Sequence, residues 1–320
     1  MRRVAIMLAA ALCVISGCSS PGDSRQSPSG QTPERSQLRV GVGNPVDTAP
    51  LRLAVADGSF TRAGLDVTLV EEPTVQDGLT GLSSGSLDVA FATDVAFLNA
   101  AAAGTALEFQ GEAYTSAPYT MSLVTLPSSH YTDLAAKKTP RIAVDDGNGL
   151  GKLAVDSMMT TAGGDPSTAK FVTRSYDRMA DALRDGSADA ALLVEPYLTA
   201  AQQNLGAEIL ADSCRGATTN FPVSSYASNG QFARANPRTL EVFRRVLAEA
   251  QQRAAADQSE VRQALPKFTG IDQTTASLVT LGEYPTSLNG VRLQRVADLM
   301  HNTGMLAERL DVPSLLPKTS

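Results

Sequence analysis

The sequence predicts an α/β protein of two lobes, each a mostly parallel sheet flanked by helices, with a cleft between the lobes. Three observations carry that expectation. Short apolar runs alternate with helix-length amphipathic segments at the spacing of parallel β-α-β units. The alternation is broken by an extended stretch from Phe109 to Leu126 and then restarts on a similar plan. With 320 residues, 43% of them hydrophobic, the chain has enough apolar material to build a core in each half.

The first half opens with a strand from Leu38 to Val42. Asn44 to Thr48 is a turn, and Pro50 suits the first turn of a helix running to about Asp57. Leu65 to Val70 is a second strand. A helix over Val75–Leu82 ends at Ser83-Ser84-Gly85, Leu87 to Phe91 is a third strand, and Asp94 caps a helix through Ala103. In the second half, Arg141 to Val144 is a strand, and the Gly-rich turn Asp145 to Gly151 opens a helix to about Thr161. Strand Lys170–Thr173, helix Tyr176–Arg184 and strand Ala188–Val194 follow, and Glu195 starts another helix. Two extended segments, Phe109–Leu126 and Pro222–Asn229, are read as strands crossing between lobes.

Beyond Asn229 the pattern is helical. Asn236-Pro237 pairs an N-cap with proline at the first helical position. Thr239–Ala256 places Leu240, Phe243, Val246, Leu247 and Ala250 on one face. Further helices are expected over Val261–Phe268, Gln273–Leu281 and Leu288–His301, with Met305 to Leu316 closing the chain. The expected division is 38–118 with 227–320 for the first lobe and 119–226 for the second.

The N-terminus reads as an export signal. Arg2 and Arg3 precede an apolar run, Val4 to Ile15, that is too short for a permanent membrane span, and small residues lead to Cys18. Ile15-Ser16-Gly17-Cys18 resembles the lipobox of bacterial lipoproteins, which implies cleavage before Cys18 and its acylation, and so attachment to the cell membrane from the outside. An ordinary cleaved signal peptide ending near a cysteine is the alternative. Residues 19–37 are rich in Ser, Pro, Gly and Gln and read as a flexible tether, so the expected leader is 1–17 and the lipidated tether 18–37.

Loss of Arg2 and Arg3 takes the formal charge from −6 to −8. An acidic surface argues against nucleic acid and against electrostatic binding to anionic membranes. Cys214 is the one cysteine left in the folded part, either a reactive thiol or a small buried apolar group. His130 and His301 stand far apart, and no metal-ligand spacing, catalytic triad or cofactor motif is present. Gly147 to Lys152 lacks the spacing and the following Ser/Thr of a phosphate loop. The sequence therefore predicts neither an enzyme nor a cofactor.

What remains is a set of strand-to-helix turns with small polar residues: Asp47 and Thr48, Thr93 and Asp94, Asn148 and Gly149, and Glu195 with Tyr197. In open parallel sheets ligands sit beyond the carboxyl ends of strands, where helix N-termini present free N–H groups. Several of these residues serve equally well as helix caps, so convergence of the turns on one cleft is the functional expectation. Tyr114, Tyr119, Tyr197 and Tyr226 either stack on a flat ligand or pack in the hinge.

At these positions the chain resembles the extracytoplasmic solute-binding proteins of ABC importers, in the group that includes nitrate, sulfonate, taurine and pyrimidine-precursor binders. The likeness lies in Ala49 to Val67, in Gly85-Ser86-Leu87-Asp88-Val89-Ala90, and in Arg184 to Ala190 followed by Glu195-Pro196-Tyr197. It implies a type II periplasmic-binding-protein-like fold and a monomer that closes on a small molecule. It also implies delivery of that molecule to a membrane permease powered by an ATPase. The cysteine-rich signature of the group's pyrimidine-synthesising enzymes is missing. Asp47, Asp94, Asp146 and Glu195 outnumber the nearby Lys152, which leans the ligand toward a nitrogen heterocycle or amine, with sulfonate or nitrate close behind. An extracellular enzyme or a ligand-sensing lipoprotein on the same scaffold stays open.

Overall fold

The computed structural model describes residues 32–318. The leader, Cys18 and most of the tether lie outside the described residues.

The first sheet is seeded by β1 (Gln37–Val42), followed by helices α1 (Ala49–Ala56) and α2 (Ser59–Arg62). Then come β2 (Asp66–Glu71), α3 (Val75–Ser84), β3 (Val89–Thr93), α4 (Asp94–Ala102) and β4 (Leu107–Thr115). The second sheet holds β5 (Met121–Thr125), β6 (Arg141–Val144), β7 (Lys170–Thr173), β8 (Ala190–Val194) and β9 (Glu208–Asp212). Its helices are α5 (Leu150–Thr161), α6 (Tyr176–Arg184) and α7 (Tyr197–Leu205). The chain returns in β10 (Pro222–Asn229) and ends in α8 (Gly230–Ala235), α9 (Pro237–Ala256), α10 (Gln258–Phe268), α11 (Gln273–Leu278) and α12 (Gly290–Asn302).

Strand orders are β2-β1-β3-β10-β4 and β7-β6-β8-β5-β9. In each sheet one strand is reversed: β10 runs antiparallel to β3 and β4, and β5 to β8 and β9. The other pairings are parallel. The expected pair of mostly parallel sheets is thus present, with one reversed strand inserted into each.

Three expectations are corrected. Phe109–Leu126 is not one crossing strand but two strands, one per sheet, joined by residues 116–120. Pro222–Asn229 does not cross at all: β10 pairs with β3 and β4 along its length, so a lobe boundary at 226/227 would cut through it. The return crossing is 213–221. The two connections lie side by side, with the Ser116 N–H donating to the Phe221 carbonyl (2.9 Å) and the Phe221 N–H to Ser116 Oγ (3.0 Å). The tether also ends earlier than expected. The Glu34 carboxylate accepts from the Thr239 N–H (2.9 Å) and Arg238 Nε (2.9 Å) at the first turn of α9, a favourable place for an acid.

Local chemistry explains the helices nearest the cleft. Thr74 and Asp77 form a reciprocal capping box on α3, and Gly85 ends it with φ of 73°, a left-handed conformation glycine adopts without strain. Helix α9 turns its apolar face onto α1 and the first sheet, where Phe243 stacks on Phe60 at 5.8 Å. Burying each such ring contributes about 1.5–3 kcal/mol. Among the described residues no helix is long and apolar enough to cross a membrane.

Candidate functional site

Between the sheets lies a cavity of about 1500 Å³. Its walls come from the residues just past the carboxyl ends of β1, β2 and β3 on one side and of β6, β7 and β8 on the other. This is the place where open α/β sheets bind ligands.

Of the turn residues singled out by sequence, the structure brings Asp47, Thr93, Asn148 and Tyr197 to the cavity wall. The others stand behind it. Thr48 is fully buried; its hydroxyl donates to the Asn44 carbonyl (2.7 Å) and accepts from Arg52 Nε (2.9 Å). Helix α4 is capped by Thr93, whose Oγ1 accepts from the Ala96 N–H (3.2 Å), and not by Asp94. Asp94 follows it, wholly buried, and among the described residues neither carboxyl oxygen has a partner at good hydrogen-bonding geometry, although the Ser225 hydroxyl is close by. Gly149 is the N-cap of α5 and is packed against Asp146, where an added Cβ would come within 2.8 Å. Tyr114 accepts the Gly282 N–H and lies 5.5 Å from Tyr284. Tyr226 is buried between Phe91 (5.7 Å) and Phe243 (6.1 Å). Both of these tyrosines thus take the packing alternative.

Glu195 is committed to the protein itself. Oε1 accepts from Thr199 Oγ1 (2.8 Å) and the Thr280 N–H (3.0 Å), and Oε2 from the Thr199 N–H (3.1 Å). Its carbonyl accepts from Asn44 Nδ2 (2.9 Å), which ties the first β-α turn to the second half. The bond from Thr280 comes from a stretch the sequence assigned to a helix. Helix α11 stops at Leu278 instead, and Glu283 then pairs with Thr115 as a third strap beside the two connections. At the rim, Asn99 Nδ2 donates to the Asn148 carbonyl (3.0 Å) across the cleft.

Sequence reasoning missed Tyr176, which stacks on Tyr197 at 5.9 Å and 16° to form one wall. It also missed Phe91, Phe268, Arg52 and Arg174. Arg174 and Tyr176 follow the end of β7, so the strand-end rule that picked the other turns finds them too. Lys152, the expected cation, is held by Asp156 one turn along α5 and is not on the wall.

The electrostatics are one-sided. Asp47, Glu71, Glu72, Asp145, Asp146 and Asp177 line the cavity against two cations, Arg52 and Arg174. Arg52 is already bound by both oxygens of Glu71 and lies over the Phe268 ring. Burial pushes Asp47 up to about 7, although the Ser224 hydroxyl donating to Oδ2 (2.6 Å) opposes it. Burial likewise raises Asp94 to about 8, reinforced by Glu112 and Asp47 and opposed by Ser225. Asp145 rises to about 6 through burial, aided by Asp146. Glu72 is raised by burial and by its acidic neighbours Asp77 and Glu71. Among the described residues no group of three or more His, Cys, Asp or Glu side chains is placed to hold a metal ion.

Comparison with known proteins gives a consistent picture. The family model described as NMT1/THI5 like matches residues 46–261. The fold is similar to the alkanesulfonate-binding protein SsuA of Xanthomonas axonopodis pv. citri bound to MOPS. That match has a TM-score of 0.76 at 22% identity over 89% of this chain and 99% of that one. The periplasmic aliphatic sulphonate-binding protein SsuA of Escherichia coli gives a TM-score of 0.70 at 19% identity, covering 88% and 97%. The periplasmic nitrate-binding protein NrtA of Synechocystis PCC 6803 gives 0.76 at 13% identity, covering 89% and 86%. No functionally curated sequence matches the chain.

Proposed function

We propose, from the premise that this chain belongs to the NMT1/THI5-like family, that it is the substrate-binding lipoprotein of an ABC importer. It captures a small polar solute in the cavity between its two sheets and carries it to a membrane permease. The lobes divide at the connections 116–120 and 213–221, and rotation about these paired segments opens and closes the cleft. Cys18 is the lipid attachment point, which keeps the binding body near its permease. The protein acts as a monomer and performs no chemistry on the solute.

The single observation that carries this reading is the cavity itself, walled by strand-end turns from both sheets and rimmed by the Asn99–Asn148 bond. Closing such a walled space around a solute excludes water and strengthens every polar contact inside. The solute is a nitrogen heterocycle or amine. Six acids against two arginines, one of them neutralised by Glu71, disfavour an anion, and the Tyr176–Tyr197 pair offers a flat apolar face.

Stabilisation by mass action tests the role. A thermal-shift screen of amines, pyrimidines, vitamins, sulfonates and nitrate is expected to give a rise in Tm with a nitrogenous compound. A rise with sulfonate or nitrate alone keeps the transport role and overturns the solute class. Turnover of any bound compound would point to an enzyme instead.

A further inference from the structure

Among the acids of the cavity wall Asp47 is the one buried as a whole residue, whereas Asp145 is half-buried with Oδ1 unpartnered among the described residues. Asp47 is 6% exposed, yet it lines the cavity. Glu71 has Arg52, and Asp146 accepts the Asn148 N–H (2.9 Å). Asp47 receives one side-chain hydrogen bond, from Ser224 to Oδ2, and among the described residues no Lys, Arg or His forms an ion pair with it. Arg52 on α1, the cation five residues along, is taken up by both oxygens of Glu71. Titratable groups from several elements feel the charge of Asp47. They are Asp94 on α4, Tyr114 on β4, Tyr226 on β10, Tyr284 on the third strap, and Tyr176 facing it from α6 in the other half. None of these is a cation. A carboxyl so placed is short of one thing, a positive partner, and the cavity is the open side from which one can arrive.

We propose that Asp47 is the anchor for a protonated nitrogen of the solute, and that seating this cation drives the Asp47 proton off into bulk solvent. The inference rests on the cavity being the solute site. The charge balance follows directly: the solute brings one positive charge, the carboxyl loses one proton, and the site ends as an ion pair with Ser224 still donating to Oδ2. Ser224 occupies Oδ2, which leaves Oδ1 as the oxygen for the cation. The tendency of the free carboxyl to hold its proton up to about pH 7 makes this exchange visible near neutrality. Below that pH the proton competes with the solute, so affinity weakens by roughly tenfold per pH unit; above it the competition ends.

Three probes sharing one ring separate charge from shape: benzylamine, benzyl alcohol and benzylsulfonate. Titration calorimetry of benzylamine at pH 6, in two buffers of different ionisation enthalpy, is expected to show release of close to one proton per molecule bound. At pH 9 the release disappears. In Asp47→Asn the benzylamine dissociation constant rises at least about tenfold and the buffer dependence is lost. Benzyl alcohol binds weakly to both proteins. Buffer-independent enthalpy at pH 6 in the wild type overturns the proposal without recourse to any variant, as does undiminished binding by a folded Asp47→Asn protein. A Tm rise with benzylsulfonate and none with benzylamine also overturns it, while leaving the transport role standing. A protein that responds to no probe and retains no small molecule from a cell extract overturns both.

Discussion

Among the described residues the two buried carboxyl oxygens of Asp94 have no partner at good hydrogen-bonding geometry, an environment that favours the neutral, protonated acid over the charged one. The unfolded chain sheds that proton near its ordinary value of 3.8, whereas the folded chain keeps it to about 8. Between those limits the native state binds more protons, so stability falls as pH rises, by up to about 1.4 kcal/mol per pH unit for each such group. Asp47 adds to the slope up to about 7. Urea unfolding at pH 5 and pH 8 is therefore expected to show a less stable protein at pH 8, and Asp94→Asn to narrow that gap; an unchanged gap would contradict the assignment. Glu195 presents the opposite case, a buried carboxylate fully supplied with donors. Glu195→Ala orphans the Thr280 and Thr199 N–H groups and is expected to lower unfolding stability by about 1–3 kcal/mol, measured by denaturant titration. Sequence alone could not separate these residues. Thr93 and Asp94 are both good cap types, and only the backbone decides that Thr93 is the cap. Glu195 sits at a strand end as a ligand contact would, but its partner Thr280 is 85 residues away.

The helices and parallel strands were legible because their signals are local. Apolar periodicity, Asn236-Pro237 and Gly85 each act within a turn or two of chain, and α9, α3 and the order β1-α-β2-α-β3 emerged close to where they were expected. Thr74→Ala is expected to remove the α3 capping box and lower stability by about 1 kcal/mol, a change readable from the thermal midpoint. Phe243→Ala, which deletes the ring stacked on Phe60, is expected to lower it by about 3–5 kcal/mol. What escaped the sequence is non-local pairing. β10 reads as an extended run whether it crosses between lobes or inserts between β3 and β4, and its neighbours in the sheet are more than a hundred residues upstream. β9 was missed because Glu208–Asp212 is short, with Glu208 and Asp212 bounding an apolar run of only Ile209-Leu210-Ala211. The third strap at Glu283 followed a helix whose periodic pattern simply ran on too far.

At the scale of the molecule, two sheets of the same plan are joined by adjacent connections, the arrangement that the proposed rotation requires. The Asn99 side chain bridges the rim to Asn148, and Asn44 bridges the deeper turn to Glu195. Asn99→Ala removes one exposed bond and is expected to shift the population toward open forms by about 0.5–1.5 kcal/mol, seen as a longer mean distance between spin labels placed on the two rims. The acidic lining and the Tyr176–Tyr197 wall are the features from which the proposed preference for a nitrogenous cation follows. Native mass spectrometry of protein isolated without unfolding, followed by identification of the released compound, tests the whole account most directly. One nitrogenous cation per chain, lost on Asp47→Asn, is the predicted result. A bound sulfonate or nitrate, or a compound whose retention is indifferent to Asp47, would contradict it.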